Sequence, residues 1–423
     1  MHSIRKGLAL MLIVVLAVLA GCGGKKEESK ATPPAEAKKD PVKISFWHGM
    51  GPDSVHGQTV KAMVKEFNEK QKDVIVEETY QGSYGDLDKK VTAAIAANTP
   101  PTVIQNTDSM LTALVKAKTV MALDSLLPAA DKADYPAALL EAQTFDGRLY
   151  AVPFNKSLVV LMYNKKLIPT PPKTWAEFRD IAKKVTVPNK IYGTVFEPNN
   201  YTFGNYMVQA GGEWVTKDQT KSLFNSDAGV QALQLIVDMV KEGSATQTKP
   251  KEYSSNYFNE GRVAMIAATS ASFAYIKPAS GDPWGVALLP AGPKNDLTGL
   301  SGANLSIVSG VKPQEAAAAM KFMLYMTGKD GTLKWAMAKT GYMPVRKSAV
   351  EAQAWKDFVK ANPEYEVMSV AINKGTVQPN HPSWAKVQGE ITTAVEKALL
   401  GQATPKGALD EAAKKGDEIL AKK

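Results

Sequence analysis

The sequence predicts an α/β fold spread over two domains, on three observations. Apolar runs of strand length alternate with amphipathic stretches of helical period in the first third of the chain, the pattern of βαβ units and a largely parallel sheet. The roughly 380 residues from Val42 onward exceed what a single core usually holds. No fixed-period repeat interrupts them, so a solenoid or propeller is not indicated.

The first element is an export signal over residues 1–21. His2, Arg5 and Lys6 give a positive start, Leu8 to Leu19 an apolar run, and Leu19-Ala20-Gly21-Cys22 a small-residue end. The run is short of the roughly 20 residues a membrane span needs, and polar sequence follows it directly. Cys22 is the only cysteine in the chain, which excludes an internal disulfide. Leu-Ala-Gly-Cys resembles the bacterial lipobox, which implies cleavage before Cys22 and a diacylglycerol on its thiol. Two acyl chains anchor a protein stably where one binds reversibly. Residues 22–41 hold almost nothing that could enter a core and read as a disordered tether. The formal charge of +9 would suit an anionic membrane surface or an acidic ligand, but lysines scattered along the chain read first as solvated surface.

The folded body opens with a strand at Val42–Trp47. A helix follows over Gln58–Lys70, with Val60, Met63, Val64 and Phe67 on one face. Val74–Tyr80 is a strand, Leu87–Ala97 a helix and Thr102–Gln105 a short buried strand. Thr174-Trp175-Ala176-Glu177 has the spacing of a capping box. Helices are expected at Gly229–Lys241, Pro313–Met326, Gly331–Lys339 and Ile391–Leu400, and strands at Gly285–Pro290 and Leu305–Val308.

Catalytic signatures are absent: the chain has no Gly-x-Ser-x-Gly, no His-Glu-x-x-His and no Gly-x-x-x-x-Gly-Lys-Ser/Thr. His48, His56 and His381 are the only histidines beyond the signal, and the eight-residue spacing of the first two makes no metal motif, so no metal site is expected. What stands out is aromatic, small-polar and Gly residues clustered at strand ends, where open α/β sheets bind ligands. Phe46-Trp47-His48-Gly49-Met50, Tyr80-Gln81-Gly82-Ser83-Tyr84 and Gln105-Asn106-Thr107-Asp108 follow the first three strands and converge on one edge.

These segments resemble the type 1 extracellular solute-binding proteins of ABC importers, and within them the glycerol-3-phosphate-binding branch. The resemblance spans the body after the tether. Phe46 to Met50 is similar to that branch's Phe-Trp-His-Ser-Met, Thr79 to Tyr84 to its Thr-Tyr-Lys-Gly-Asn-Tyr, and Pro153-Phe154-Asn155-Lys156-Ser157 to its Pro-Phe-Asn-Ser-Ser. Tyr163-Asn164-Lys165, Pro172 to Trp175, Phe258 to Met265, Lys339 to Pro344 and Gly401 to Leu409 match in order and spacing. The resemblance implies a type II, maltose-binding-protein-like fold with a cleft between two lobes, an N-lobe of residues 42–154 and 303–343 and a C-lobe of 155–302 and 344–423. It places Tyr84, Asp108, Ser157, Thr269, Ser270, Gly302 and Tyr342 in that cleft, where the branch usually has Glu at the Asp108 position. Tyr84, Tyr201, Tyr342 and Trp384 offer flat faces with a polar tip, and Trp47 and His48 are expected on the cleft wall.

The departures decide the expected ligand. The branch holds phosphate with an arginine near the start of its last long helix, but here Asn380 to Gln388 contains none. Lys386 cannot reproduce the bidentate guanidinium fork. The branch's two tryptophans fall on Asn199 to Thr202, where only Tyr201 is aromatic. His381-Pro382-Ser383-Trp384 resembles carbohydrate binders at this place. The expectation is a monomeric, lipid-anchored binding protein, not an enzyme, that passes a sugar, oligosaccharide or polyol to ABC permease subunits at the outer face of the cell membrane. It needs no cofactor and no nucleic acid. The alternatives are the same role for glycerol-3-phosphate or a glycerophosphodiester and, in another class, an exported glycan-acting hydrolase or a ligand-sensing lipoprotein.

Overall fold

Residues 42–48 form a strand because their side chains alternate between a buried and a half-open side, with Ile44, Phe46 and His48 inward. The computed structural model describes residues 40–250, 252–371 and 374–421. The export signal, Cys22 and nearly all of the tether lie outside the described residues. No helix among the described residues is long and apolar enough to cross a membrane.

Apart from three two-residue strands, the strands are β1 (Val42–His48), β2 (Val74–Tyr80), β3 (Val103–Thr107), β4 (Val152–Asn164), β5 (Tyr192–Phe196), β6 (Ala245–Gln247), β7 (Val263–Thr269), β8 (Trp284–Ala287) and β9 (Thr298–Ile307). They lie in the order β2-β1-β3-β9-β4-β7-β5-β6, with β8 beside β4. β2-β1-β3 and β7-β5-β6 are parallel triplets. β9 and β4, antiparallel to their neighbours, join the triplets in the middle. The expected parallel sheet therefore holds within each triplet and gives way at the joint, where two long strands serve both halves.

Element bounds differ from the sequence reading for local reasons. The first helix starts at Val55 because the Ser54 hydroxyl accepts from Gly57 N at 3.1 Å. The second starts at Tyr84 behind a reciprocal Ser83–Asp86 cap. At Thr174 only half the box forms: Glu177 N donates to the threonine hydroxyl, but the Glu177 carboxylate accepts from Lys173 N. The helix expected from Ile391 begins at Trp384, and a further helix spans Pro405–Leu420. β9 runs seven residues upstream of the expected Leu305. The 13-residue β4 is not legible from periodicity, because Asn155, Lys156 and Ser157 are polar yet buried on both sheet faces.

Three backbone segments lie side by side at the joint: Lys156–Leu158 of β4, Leu300–Gly302 of β9, and Thr340–Met343. Gly302 pairs with Lys156, and Met343 N donates to Lys156 O at 2.9 Å. Both glycines here are required. Gly302 has φ +115° and a Cβ would sit 2.0 Å from Asn155 O; Gly341 has φ +75° and a Cβ would sit 2.1 Å from Ser270 O. One apolar core runs from Ile44 and Phe67 through Val160 and Met162 of β4 to Ile266, and a second gathers Phe178, Phe203, Trp214, Trp384 and Leu409.

Candidate functional site

The ends of β1 and β3 are tied to β4 by side chains. Gln105 accepts from Gly49 N at 2.8 Å and donates to Asn155 Oδ1 at 2.9 Å, and Asn155 Nδ2 donates to the Tyr84 hydroxyl at 3.0 Å. Burial raises the pKa of Tyr84 well above the ordinary phenol value and raises that of Tyr342. Both remain neutral phenols, able to donate and accept.

Asp108 opens the helix that follows β3, where the N-terminal backbone amides favour its negative charge. Its Oδ1 accepts from Lys156 Nζ at 3.0 Å, Asn304 Nδ2 at 2.8 Å and Gln143 Nε2 at 3.3 Å. One oxygen is thus saturated, and the other has no hydrogen-bond partner among the described residues. The Lys156 side chain is 3% exposed and that of Asp108 is 32% exposed. Tyr201, 51% exposed at the start of the Asn200–Gln209 helix, lies within electrostatic reach of this carboxylate: desolvation, and after it the Asp108 charge, raises its phenol pKa.

Hydroxyls gather at the joint. Thr269 Oγ1 donates to Ser157 Oγ at 2.9 Å, and Ser157 and Ser301 share a hydrogen bond of 3.0 Å. Gly302 is the next residue along β9. Beside them a hollow of about 290 Å³ is lined by Tyr84, His56, Thr269, Tyr275 and Tyr342. A second hollow, of about 530 Å³, is lined by Glu141, Ala142, Trp214, Gln219, Gln378 and Asn380 among others.

The fold therefore brings together Tyr84, Asp108, Ser157, Thr269, Gly302 and Tyr342, with Tyr201 within electrostatic reach of Asp108. It commits others to structure. His48 is 2% exposed, with Nε2 on Glu78 at 2.9 Å and Nδ1 accepting from Met50 N at 3.2 Å. Ser270 is fully buried and donates to Gly341 O at 2.7 Å, fixing the third segment of the joint. Trp384 is 2% exposed, lies edge-on to Trp214 and donates to Gln378. Lys386 is exposed, without a side-chain partner among the described residues. Trp47 is half-buried, packed with Tyr84 against Leu87, Val91 and Ile104. The sequence reading overlooked Lys156, Asn304, Gln143 and Ser301. The one available signal was a lysine inside an otherwise buried run, Val152–Leu158.

Residues 62–367 match the profile of the bacterial extracellular solute-binding proteins. The chain is 26% identical over 418 residues to the sn-glycerol-3-phosphate-binding periplasmic protein UgpB of Brucella melitensis biotype 1, covering 90% of this chain and 93% of the relative. The cyclic α-maltosyl-1,6-maltose binding protein of Arthrobacter globiformis superposes with a TM-score of 0.80 at 24% identity, covering 90% of this chain and 99% of the other. UgpB of Mycobacterium tuberculosis, solved in complex with glycerophosphocholine, gives a TM-score of 0.80 at 23% identity over 89% and 98% of the two chains. At such identities the structural likeness carries the fold, a two-lobed α/β body of the maltose-binding-protein type.

Proposed function

The chain belongs to the bacterial extracellular solute-binding proteins, and on that premise we propose that it captures a carbohydrate between two lobes and passes it to the membrane subunits of an ABC importer. The protein acts outside the cytoplasm. The observation that carries the carbohydrate reading is the mixture of groups around Asp108: a carboxylate with one open oxygen, a row of hydroxyls at Ser157, Ser301 and Thr269, and the exposed ring of Tyr201 within electrostatic reach. Neutral sugars need acceptors, donors and a flat apolar face together. A phosphate needs concentrated donors, and Lys386, the candidate for that task, offers a single ammonium without the bidentate fork of an arginine.

The N-lobe takes residues 42–154 and 303–343 and the C-lobe 155–302 and 344–423, with the first turn after 344 leaning on the N-lobe through Arg346 and Ser348, both bonded to the 131–134 segment. Ligand touching both lobes favours the closed state by its differential affinity, and closure presents the surface the permease reads. The protein is not an enzyme in this reading. Glu141 and Glu213, the two carboxylates lining the larger hollow, are exposed rim residues, and a catalytic acid needs a raised pKa set by burial. Cys22 carries the lipid anchor, so Cys22→Ala releases the protein from the membrane fraction. A monomer suffices, with both faces of the cleft supplied by one chain.

A second reading, capture of glycerol-3-phosphate or a glycerophosphodiester, is favoured by the relatives named for that ligand. A thermal-shift panel on the body from Val42 separates the two, because a ligand that binds only the folded state raises the midpoint. Mono- to oligosaccharides, glycerol-3-phosphate and glycerophosphocholine are tested at millimolar concentration. Shifts with saccharides alone are expected; shifts with the phosphoesters alone would replace the first reading by the second.

A further inference from the structure

Lys156 is nearly buried and has one charged partner among the described residues, Asp108, the more exposed of the pair. The carboxylate oxygen facing the ammonium is also held by Asn304 and Gln143, and Gln143 Nε2 donates to Asn304 Oδ1 at 2.9 Å. The carboxylate therefore cannot swing away without breaking three contacts. We infer that Lys156 is a masked cation and a specificity-determining residue: paired with Asp108 it makes the centre of the cleft neutral overall and negative at its surface, which excludes anionic solutes and orients Asp108 to accept a neutral hydroxyl.

The physical reason is the order of the charges. A ligand approaching from the cleft meets the free Asp108 oxygen first, and a phosphate there is repelled at short range while the ammonium lies behind. A hydroxyl meets an acceptor whose other oxygen is already satisfied, so the geometry costs no rearrangement. The fixed backbone of Lys156, paired to Gly302 and bonded to Met343 N, keeps the ammonium in register with the joint. This inference rests on the reading of the cleft as the ligand site and adds the charge class that the site accepts.

The test is calorimetric titration of wild type, Asp108→Asn, Lys156→Met and the double variant with three probes: inorganic phosphate, sn-glycerol-3-phosphate and maltotriose, the last joined by the saccharide giving the largest shift in the panel above. Asp108→Asn unmasks the ammonium, so its affinity for the two anions is expected to rise at least ten-fold over wild type while saccharide affinity falls at least ten-fold. In the double variant the gain for anions disappears. A gain that persists in the double variant would show that removing repulsion is enough and that Lys156 is not the masked group, and no gain in Asp108→Asn would overturn the inference outright. If Asp108→Asn melts too low to titrate, Lys156→Met decides: saccharide affinity falls at least five-fold under the inference, and an unchanged value contradicts it. A wild type that shifts with no saccharide defeats the carbohydrate reading itself, whatever pattern the variants show with anions.

Discussion

Arg346 and Lys156 are both cations with almost no exposed side chain, at 1% and 3%, yet the protein treats them differently. The Arg346 guanidinium donates to Thr327 O at 2.8 Å, Asp131 O at 2.7 Å and the Tyr135 hydroxyl at 3.1 Å, pairs with Asp131 at 3.1 Å, and stacks 3.8 Å over the Tyr135 ring. Burial pushes the Tyr135 phenol up to about 12 even with that guanidinium beside it. Every direction in which Arg346 could bind something is filled. Lys156 has a single charged partner among the described residues, and that partner keeps one oxygen without a hydrogen bond there. Burial of a charge is therefore no guide to function by itself; what separates the two is whether the surrounding hydrogen bonds are complete.

The comparison breaks most visibly at Arg346. Arg346→Met leaves Asp131 and Asp134 without their cation and is expected to cost about 3–5 kcal/mol, read by urea denaturation, with saccharide affinity of the folded fraction unchanged. A loss of affinity there would erase the distinction between the two cations. Trp384→Ala belongs on the same side, because its ring is packed in the C-lobe core against Trp214; a loss of about 3 kcal/mol in stability is expected, again with little change in binding. Tyr201→Ala is the reverse case. Its ring is half-exposed, so stability should move by no more than about 0.5 kcal/mol, while affinity falls about ten-fold, or about 1.4 kcal/mol.

The smallest expected effect is a pH dependence set by two buried histidines. Burial lowers the pKa of His48, against the opposing pull of Glu78, and lowers that of His56, whose Nε2 donates to Thr340 O at 2.7 Å. The unfolded chain then binds more protons than the native one below pH 6.5. The neutral-histidine contribution is fully present above pH 6.5 and is lost as pH falls through the lowered native values. Urea midpoints between pH 7.5 and 5 should decline in wild type and decline less in His48→Asn; equal slopes would remove His48 from the account.

Much of this was legible before the fold. Strand ends at His48, Tyr80 and Thr107 do share one edge, because β2-β1-β3 is a parallel triplet. Tyr84, Asp108 and Tyr342 were expected in the cleft from the family resemblance, and the first two also follow predicted strands. Trp384 and His48 misled for a common reason: each has a polar tip satisfied by a residue distant enough, Gln378 or Glu78, that sequence spacing does not reveal the pairing. Lys156 was passed over for the opposite reason. A lysine reads as solvated surface until a carboxylate 48 positions earlier is folded onto it.

The most direct test of the central claim is calorimetric titration of the saccharide that gives the largest thermal shift into wild type and Tyr201→Ala side by side. The account predicts one site per chain in wild type and a roughly ten-fold weaker one in Tyr201→Ala, with the two melting curves superimposed in the absence of ligand. Equal affinities would place the ligand away from the Asp108–Tyr201 cleft and contradict the claim that this cleft is where capture occurs.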